Sequence, residues 1–283
     1  MMSFHSESDK MPKAPMISES DVNRQEKLSR IKHTIIVLSG KGGVGKSTVS
    51  VNLAASLAGR DLKVGIMDVD IHGPNIPKML GIEDEQIIAE NERLIPVTAP
   101  NNVKVMSMAF LLPDKNIPIA WRGPVKMGAL RQFTEDVEWG NLDYLVIDMP
   151  PGTGDEALSI IQLFPKADGF IIVTTPQDVA LLDSRKSLVF AAQAGMPIIG
   201  VVENMSGFIC PHCNEKVEIF GSGGGKNMAA DMEVQFLGSI PLEPGVVKSG
   251  DSGTPIVIGD PKSKVSEAFA EIVEKVVRTV EHP

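Results

Sequence analysis

Cysteine is almost missing from this chain: its 283 residues contain two, Cys210 and Cys213, separated only by a proline and a histidine. A pair so close and so isolated cannot build the disulfide framework of an extracellular protein, and a reducing compartment keeps both thiols available. Long apolar runs are missing as well. TIIVL, YLVI, GFIIV and PIIGVV have the length of strands, far short of the ~20 residues that cross a bilayer, so no membrane partner is expected. The N-terminal MMSFHSESDKMPKAP has neither the apolar core of a secretion signal nor the Arg-rich amphipathic pattern of an organelle address. A cytoplasmic protein is expected. Positive charge is not in excess either: 27 Lys and Arg against 36 Asp and Glu leave a formal charge of -9, which opposes a broad grip on nucleic-acid phosphates. No internal repeat is visible.

What is present describes a globular chain, 43% hydrophobic and 22% charged. Residues 1–32 read as a polar, flexible tail ending in a short helix over Asp21 to Lys32. From His33 onward, β-branched runs alternate with helical patterns. TIIVLS is followed by a helix from Ser47 to Ala58, KVGIMDVD by one from Pro124 to Val137, DYLVID by one from Asp155 to Phe164, and GFIIVTT by one from Asp178 to Ala194 ahead of PIIGVVEN. Strands apolar on both faces and joined by crossover helices specify an α/β fold with a mostly parallel sheet flanked by helices. With no linker in this alternation, residues 33–283 read as one domain. An extra strand is expected at Val103 to Met108. A closing helix over Lys262 to Glu281 carries an apolar stripe at Val265, Phe269, Ile272, Val276 and Val280.

The strongest chemical signal is SGKGGVGKST, Ser39 to Thr48, placed between the first strand and the first long helix. It fits G-x-x-x-x-G-K-[ST] through Gly40, Gly45, Lys46 and Ser47, with Lys41, Gly42, Gly43 and Val44 between them and Thr48 closing the motif. Glycines let successive backbone N–H groups turn inward around phosphate oxygens, and a helix N-terminus adds partial positive charge. Lys46 would reach the β- and γ-phosphates, and Ser47 would ligate Mg²⁺ through its hydroxyl. Asp148, at the end of DYLVID, is the expected Walker B carboxylate. Asp68 and Asp70 end KVGIMDVD two residues apart, at the sheet edge where such folds bind ligands. Either one could position water or help the metal.

The second lysine of GKGGVGKST, Lys41, resembles the signature lysine of the deviant Walker A ATPases, which include MinD, ParA-type partition proteins and the nitrogenase iron protein. The resemblance implies a P-loop NTPase fold of the MinD and nitrogenase iron protein type, ATP as ligand, and a homodimer in which Lys41 reaches the partner's nucleotide. It also implies that Asp70 orients the attacking water, that DMPPGTGD (Asp148 to Asp155) is a second switch, that Asn204 reads the adenine edge, and that Pro241 walls the base. Asn204 and Pro241 also admit a plain reading as turn or core residues. GKGGVGKST, DVDIHGPNIP, WRGP, DMPPGTGDEALS, VVENMSGFICPHC and GDSGTP together look like the Mrp/ApbC branch, ATP-dependent iron-sulfur cluster carriers, over roughly residues 33–281.

A lone C-x-x-C supplies half of the four-ligand shell that zinc or an iron-sulfur cluster demands. In the family that this chain resembles, cysteine pairs of two subunits hold one [4Fe-4S] cluster between them. That implies Cys210 and Cys213, within a metal-binding segment at 206–221, as ligands of a shared cluster delivered to apo iron-sulfur proteins. Zinc bridging the dimer and a redox dithiol stay open on spacing alone. The dithiol is disfavoured because the pair does not open a helix that would lower a thiol's pKa. His212, lying between the two, is expected to point outward. No cysteine precedes Cys210, and no extra N-terminal domain of the bacterial kind is expected. A ParA-like partition ATPase would share the phosphate site but needs a basic face, and a MinD-like membrane switch needs a basic terminal helix where this chain has Glu267, Glu271, Glu274 and Glu281.

Overall fold

Apolar side chains at alternate positions of a strand fall on one face, and the central strands of this chain are apolar at both parities. They therefore bury both faces. The computed structural model describes residues 19–71, 73–90, 93–111, 123–210, 212–213 and 215–282. Residues 1–18 of the expected tail, Trp121 and Arg122 of WRGP, and Pro211 between the cysteines lie outside the described residues.

In chain order, α1 (Glu19–Leu28), β1 (Ile31–Ser39), α2 (Lys46–Ala58), β2 (Val64–Asp68) and the short α3 (Ile76–Met79) come first. Small strands β3 (Ile88–Glu90), β4 (Arg93–Ile95) and β5 (Val97–Thr98) lead to β6 (Lys104–Ser107). Then follow α4 (Gly123–Glu135), β7 (Leu142–Asp148), α5 (Asp155–Leu163), β8 (Gly169–Thr174), α6 (Asp178–Gln193) and β9 (Ile198–Glu203). A two-stranded hairpin, β10 (Phe208–Ile209) and β11 (Lys216–Val217), precedes α7 (Gly224–Asp231), β12 (Phe236–Ser239), α8 (Pro244–Asp251), α9 (Ile256–Gly259) and α10 (Lys264–Glu281).

Among the described residues the main sheet has eight strands in the order β12-β9-β8-β1-β7-β2-β6-β5. Pairing is parallel throughout except for β5 against β6. The expected α/β fold is borne out. On one face Ile35 and Val37 of β1 pack with Leu53 and Leu57 of α2 and with Phe269 and Ile272 of α10. On the other, Ile36 and Leu38 pack with Phe133 of α4, Ile160 of α5 and Leu188 of α6. Each such side chain, fully buried, contributes about 2 kcal/mol. The stripe on α10 is buried at all five expected positions, Val265, Phe269, Ile272, Val276 and Val280, and Ser263 caps this helix by accepting from the Ser266 N–H.

Several boundaries differ from expectation. β1 starts at Ile31, and α1 ends at Leu28; α1 is tied to α4, with Arg24 3.5 Å from Glu135 and the Lys27 ammonium donating to the Glu135 carbonyl. β2 ends at Asp68 and does not run on to Asp70. There the Asp68 carboxylate accepts from the Asp70 N–H at 3.1 Å and from the Ile76 N–H at 3.4 Å, a side-chain turn that replaces the ladder. The expected extra strand is β6, with β5 added beside it.

Parallel crossovers bring the C-terminal ends of the strands to one edge. Ser39, Asp68, Asp148, Thr174 and Glu203, which end β1, β2, β7, β8 and β9, are all fully buried polar residues. Five buried polar groups at the edge where doubly wound sheets bind ligands make this the place to look for chemistry.

Candidate functional site

The turn from β1 into α2 is held open by glycine for two separate reasons. Gly43 and Gly45 both have φ of 82°, the left-handed region that costs a side chain free energy. Gly40 and Gly45 also have no room. A Cβ on Gly40 would sit 2.3 Å from the backbone carbon of Asp183 in α6, and one on Gly45 would sit 2.2 Å from Asn204 Nδ2. Val44 between them is buried in the core and anchors the cradle. Lys41 is half-buried at the rim, its carbonyl accepting from Ser39 Oγ at 3.0 Å.

Beneath the cradle, Asp148 gathers the cationic and hydroxyl groups of α2. Lys46 Nζ donates to Asp148 Oδ2 at 2.8 Å and Ser47 Oγ donates to the same oxygen at 2.6 Å. Ser50, one turn along α2, donates to Asp148 Oδ1 at 2.6 Å. A cavity of about 250 Å³ opens above them, lined among others by Lys41, Lys46, Ser47, Thr48, Asp70 and Pro151. Asp70 brings its carboxylate to that cavity while accepting from the Gly73 N–H at 3.2 Å. Asp68 does not line it. It is sealed beside Asp148, its register partner on β7, and it accepts from Ser107 Oγ at 2.8 Å. Burial, and then repulsion from Asp148, push the Asp68 carboxyl up to about 8.

A second cavity of about 350 Å³ shares Thr48, Asn75 and Met79 with the first and is walled by Asn204, Met205 and Pro241. The cradle thus continues into an apolar slot with a few polar groups, a form suited to a base and sugar. Asn204 is buried, and Nδ2 donates to the Val44 carbonyl at 2.9 Å, so this amide braces the cradle as well as facing the slot.

Both cysteines lie at the tip of the β10–β11 hairpin, Cys213 exposed and Cys210 half-buried. The hairpin is closed by the Cys210 N–H donating to the Glu215 carbonyl at 3.0 Å. Backbone N–H groups of Cys213 and then His212 point at the Cys210 sulfur and hold its thiol below the ordinary value. A tight turn here does what a helix N-terminus does elsewhere, so the absence of a helix does not count against a reactive thiol. His212 is exposed. Among the described residues no three of His, Cys, Asp and Glu cluster as a metal site.

Sequence reasoning passed over two residues. Ser50 lies one helical turn beyond Ser47, on the side of α2 that faces Asp148, a signal the spacing carried. Glu203 ends the apolar run IIGVVE and is fully buried. A charge closing a buried strand was its signal.

A family model described as ParA, NUBPL iron-transfer P-loop NTPase matches residues 30–277. The chain belongs to this family. The iron-sulfur cluster carrier protein of Methanocaldococcus jannaschii is 53% identical over 266 residues, covering 94% of this chain and 91% of that protein. The protein of the same name from Saccharolobus solfataricus is 50% identical over 261 residues, covering 92% and 88%. Among solved structures, a nucleotide-binding protein from Archaeoglobus fulgidus in complex with ADP superposes with a TM-score of 0.76 at 38% identity, covering 88% of this chain and 96% of that one. The cell division ATPase MinD of Pyrococcus furiosus gives 0.65 at 25% identity, covering 87% and 99%. As a member of the iron-transfer P-loop NTPase family, the chain has the expected MinD-type fold, with its glycine-rich loop at the β1–α2 junction. Among the described residues no helix is long and apolar enough to cross a membrane.

Proposed function

We propose that this chain is a homodimeric ATPase that carries an iron-sulfur cluster, held by Cys210 and Cys213 of two subunits, and delivers it to apo-proteins in the reducing cytoplasm. The observation that carries the reading is the hairpin tip: two accessible thiols, one of them tuned toward thiolate by backbone N–H groups, with no further ligand cluster among the described residues. A two-fold contact between copies turns two sulfur ligands into four without more sequence, and four thiolates suit a [4Fe-4S] cluster as cargo. The relatives named as cluster carriers support the same cargo.

The phosphate site suits ATP. Glycine-turned N–H groups would receive the phosphate oxygens and Asn204 with Pro241 would hold the base. The donor set fits Mg²⁺: Ser47 Oγ and Asp148 Oδ2, 2.6 Å apart, are a hydroxyl and a carboxylate oxygen that would hold the ion, with Asp68 sealed behind. The ion would offset phosphate charge there. In hydrolysis Asp70, facing the cavity, orients the attacking water, while Lys46 turns outward to the phosphates. Lys41 adds a second ammonium to the developing charge, reaching across the dimer.

Anaerobic reconstitution with iron and sulfide tests the cargo, followed by iron, sulfide and zinc analysis and by mass determination in solution. One [4Fe-4S] cluster per pair of chains is expected. A monomer holding a whole cluster, or zinc retained in place of iron, overturns the reading.

A further inference from the structure

Glu203 is a buried carboxylate that the proposed chemistry does not use, and three of its four partners have one thing in common. Ser206 Oγ donates to Glu203 Oε1 at 2.5 Å, and Ser206 is where the chain leaves β9 for the cysteine hairpin. The Gly223 N–H donates to the same oxygen at 2.8 Å and the Gly225 N–H donates to Oε2. These two glycines are where the chain returns from the hairpin and turns into α7. Ser239 at the end of β12 completes the set at 3.5 Å. One carboxylate therefore fastens both feet of the segment that carries Cys210 and Cys213. Space is tight at the return foot, where a Cβ on Gly225 would meet the Glu203 side chain at 3.0 Å.

The next residue faces the other way. Asn204 Nδ2 donates to the Val44 carbonyl in the phosphate cradle and leaves no space for a side chain on Gly45. Its own N–H is fixed to the Thr174 carbonyl at 2.8 Å, so the backbone between the two side chains has little slack. A ligand that clamps the cradle clamps Asn204, and the Glu203 carboxylate is one peptide bond away.

We propose that Glu203 is a positioning residue for the cysteine pair, tying the hairpin feet to the phosphate cradle through Asn204, so that nucleotide occupancy alters the setting of Cys210 and Cys213. The proposal rests on the nucleotide site described above and deepens the cargo reading by naming the joint between the two sites. Binding at one site changes the other only if the element joining them differs between the two states. The Glu203–Asn204 pair is that element, because one side chain bonds to the feet of the cysteine hairpin and the other to the cradle.

The test needs no cluster. In the full-length protein, the rate at which iodoacetamide alkylates each cysteine is measured with and without saturating Mg-ADP, alongside Mg-ADP affinity and thermal stability. In the wild type, Mg-ADP is expected to change the Cys210 rate by about fivefold. In Glu203→Gln, whose single amide oxygen can accept from only one of the Gly223 and Gly225 N–H groups and whose NH2 opposes the other, Mg-ADP affinity stays within about twofold and the ratio of the two rates falls to about one. A merely structural role would shift both rates together and keep their ratio. Ser206→Ala, which removes only the outgoing foot, gives an independent arm and lowers the ratio toward one should Glu203→Gln fail to fold. A wild-type ratio of one with Mg-ADP bound, or a wild-type ratio retained in the variants, overturns the proposal. Failure of the wild type to bind Mg-ADP instead overturns the nucleotide reading on which it rests.

Discussion

Lys46 Nζ stands 2.8 Å from Asp148 Oδ2, an ion pair with both side chains sealed from solvent between α2 and the end of β7. The pair sets a choice for the lysine, whose ammonium serves Asp148 here and must turn toward the cavity to serve a phosphate. The hydroxyls of Ser47 and Ser50 donate to the same carboxylate.

Lys46→Ala leaves Asp148 buried with hydroxyl partners and no counter-charge. Breaking a buried pair from one side costs about 3 kcal/mol, so the variant is expected to unfold at lower urea in the absence of nucleotide and to lose ATP turnover. Cluster reconstitution should be unaffected, because the hairpin does not touch Lys46. Wild-type turnover in this variant rejects the assignment of the phosphate site.

Gly43 and Gly45 share one φ value but not one environment. Alanine at Gly43 meets nothing within 4 Å and pays only the left-handed backbone cost of roughly 1–2 kcal/mol. Alanine at Gly45 adds displacement of the Asn204 amide from the cradle, an extra loss of about 1 kcal/mol or more. Urea titrations of both variants should rank Gly45→Ala as the less stable. The reverse order would mean that the Asn204–Val44 bond contributes nothing.

Asp68 predicts an unusual slope of stability with pH. Its folded value of about 8 lies far above the ordinary unfolded carboxyl value of about 4, so across that interval the folded state binds more protons than the unfolded one. Stability contributed by this group is therefore greatest below about pH 4 and declines as pH rises through 8. In Asp68→Asn, an amide resembling the protonated acid, this contribution to the slope is removed. Wild-type and variant urea midpoints should diverge between pH 5 and 8, with the wild type losing ground. Parallel curves over that range would show that Asp68 does not hold its proton.

The parallel sheet, the glycine-turned loop between β1 and α2 and the stripe on α10 were legible because each depends on local pattern: runs apolar at both parities, spaced glycines between strand and helix, a helical repeat of apolar residues. The end of β2 was not, because it is decided by which backbone N–H groups the Asp68 carboxylate captures, Asp70 and Ile76, and Ile76 is brought there by the return of the chain. Asn204 was expected as a reader of the adenine edge, and its role as a brace of Val44 was not legible because that contact is made across 160 positions of sequence. Glu203 gave its signal as a charge closing an apolar strand, yet apart from nearby Ser206 its partners lie at the start of α7 and the end of β12, which only folding brings to it. The lowered Cys210 thiol depends on where two N–H groups of a tight turn point, which C-x-x-C spacing does not specify.

Cys210 and Cys213 should separate chemically in the protein without cluster. Backbone N–H groups favour the thiolate of Cys210, and the thiolate is the nucleophile, so its alkylation should reach full rate at lower pH than that of an ordinary thiol. Measured residue by residue, the Cys210 profile should be displaced to the acid side of a model cysteine peptide. Cys210→Ala removes this ligand from each subunit and leaves a two-fold pair with half the sulfur set, too few for a [4Fe-4S] cluster. The hairpin feet are held by Glu203, away from the Cys210 side chain, so the same variant should bind Mg-ADP as the wild type does. Wild-type iron and sulfide content in Cys210→Ala would place the cargo elsewhere on the molecule, and a profile matching the model peptide would remove the turn as the cause of thiol activation.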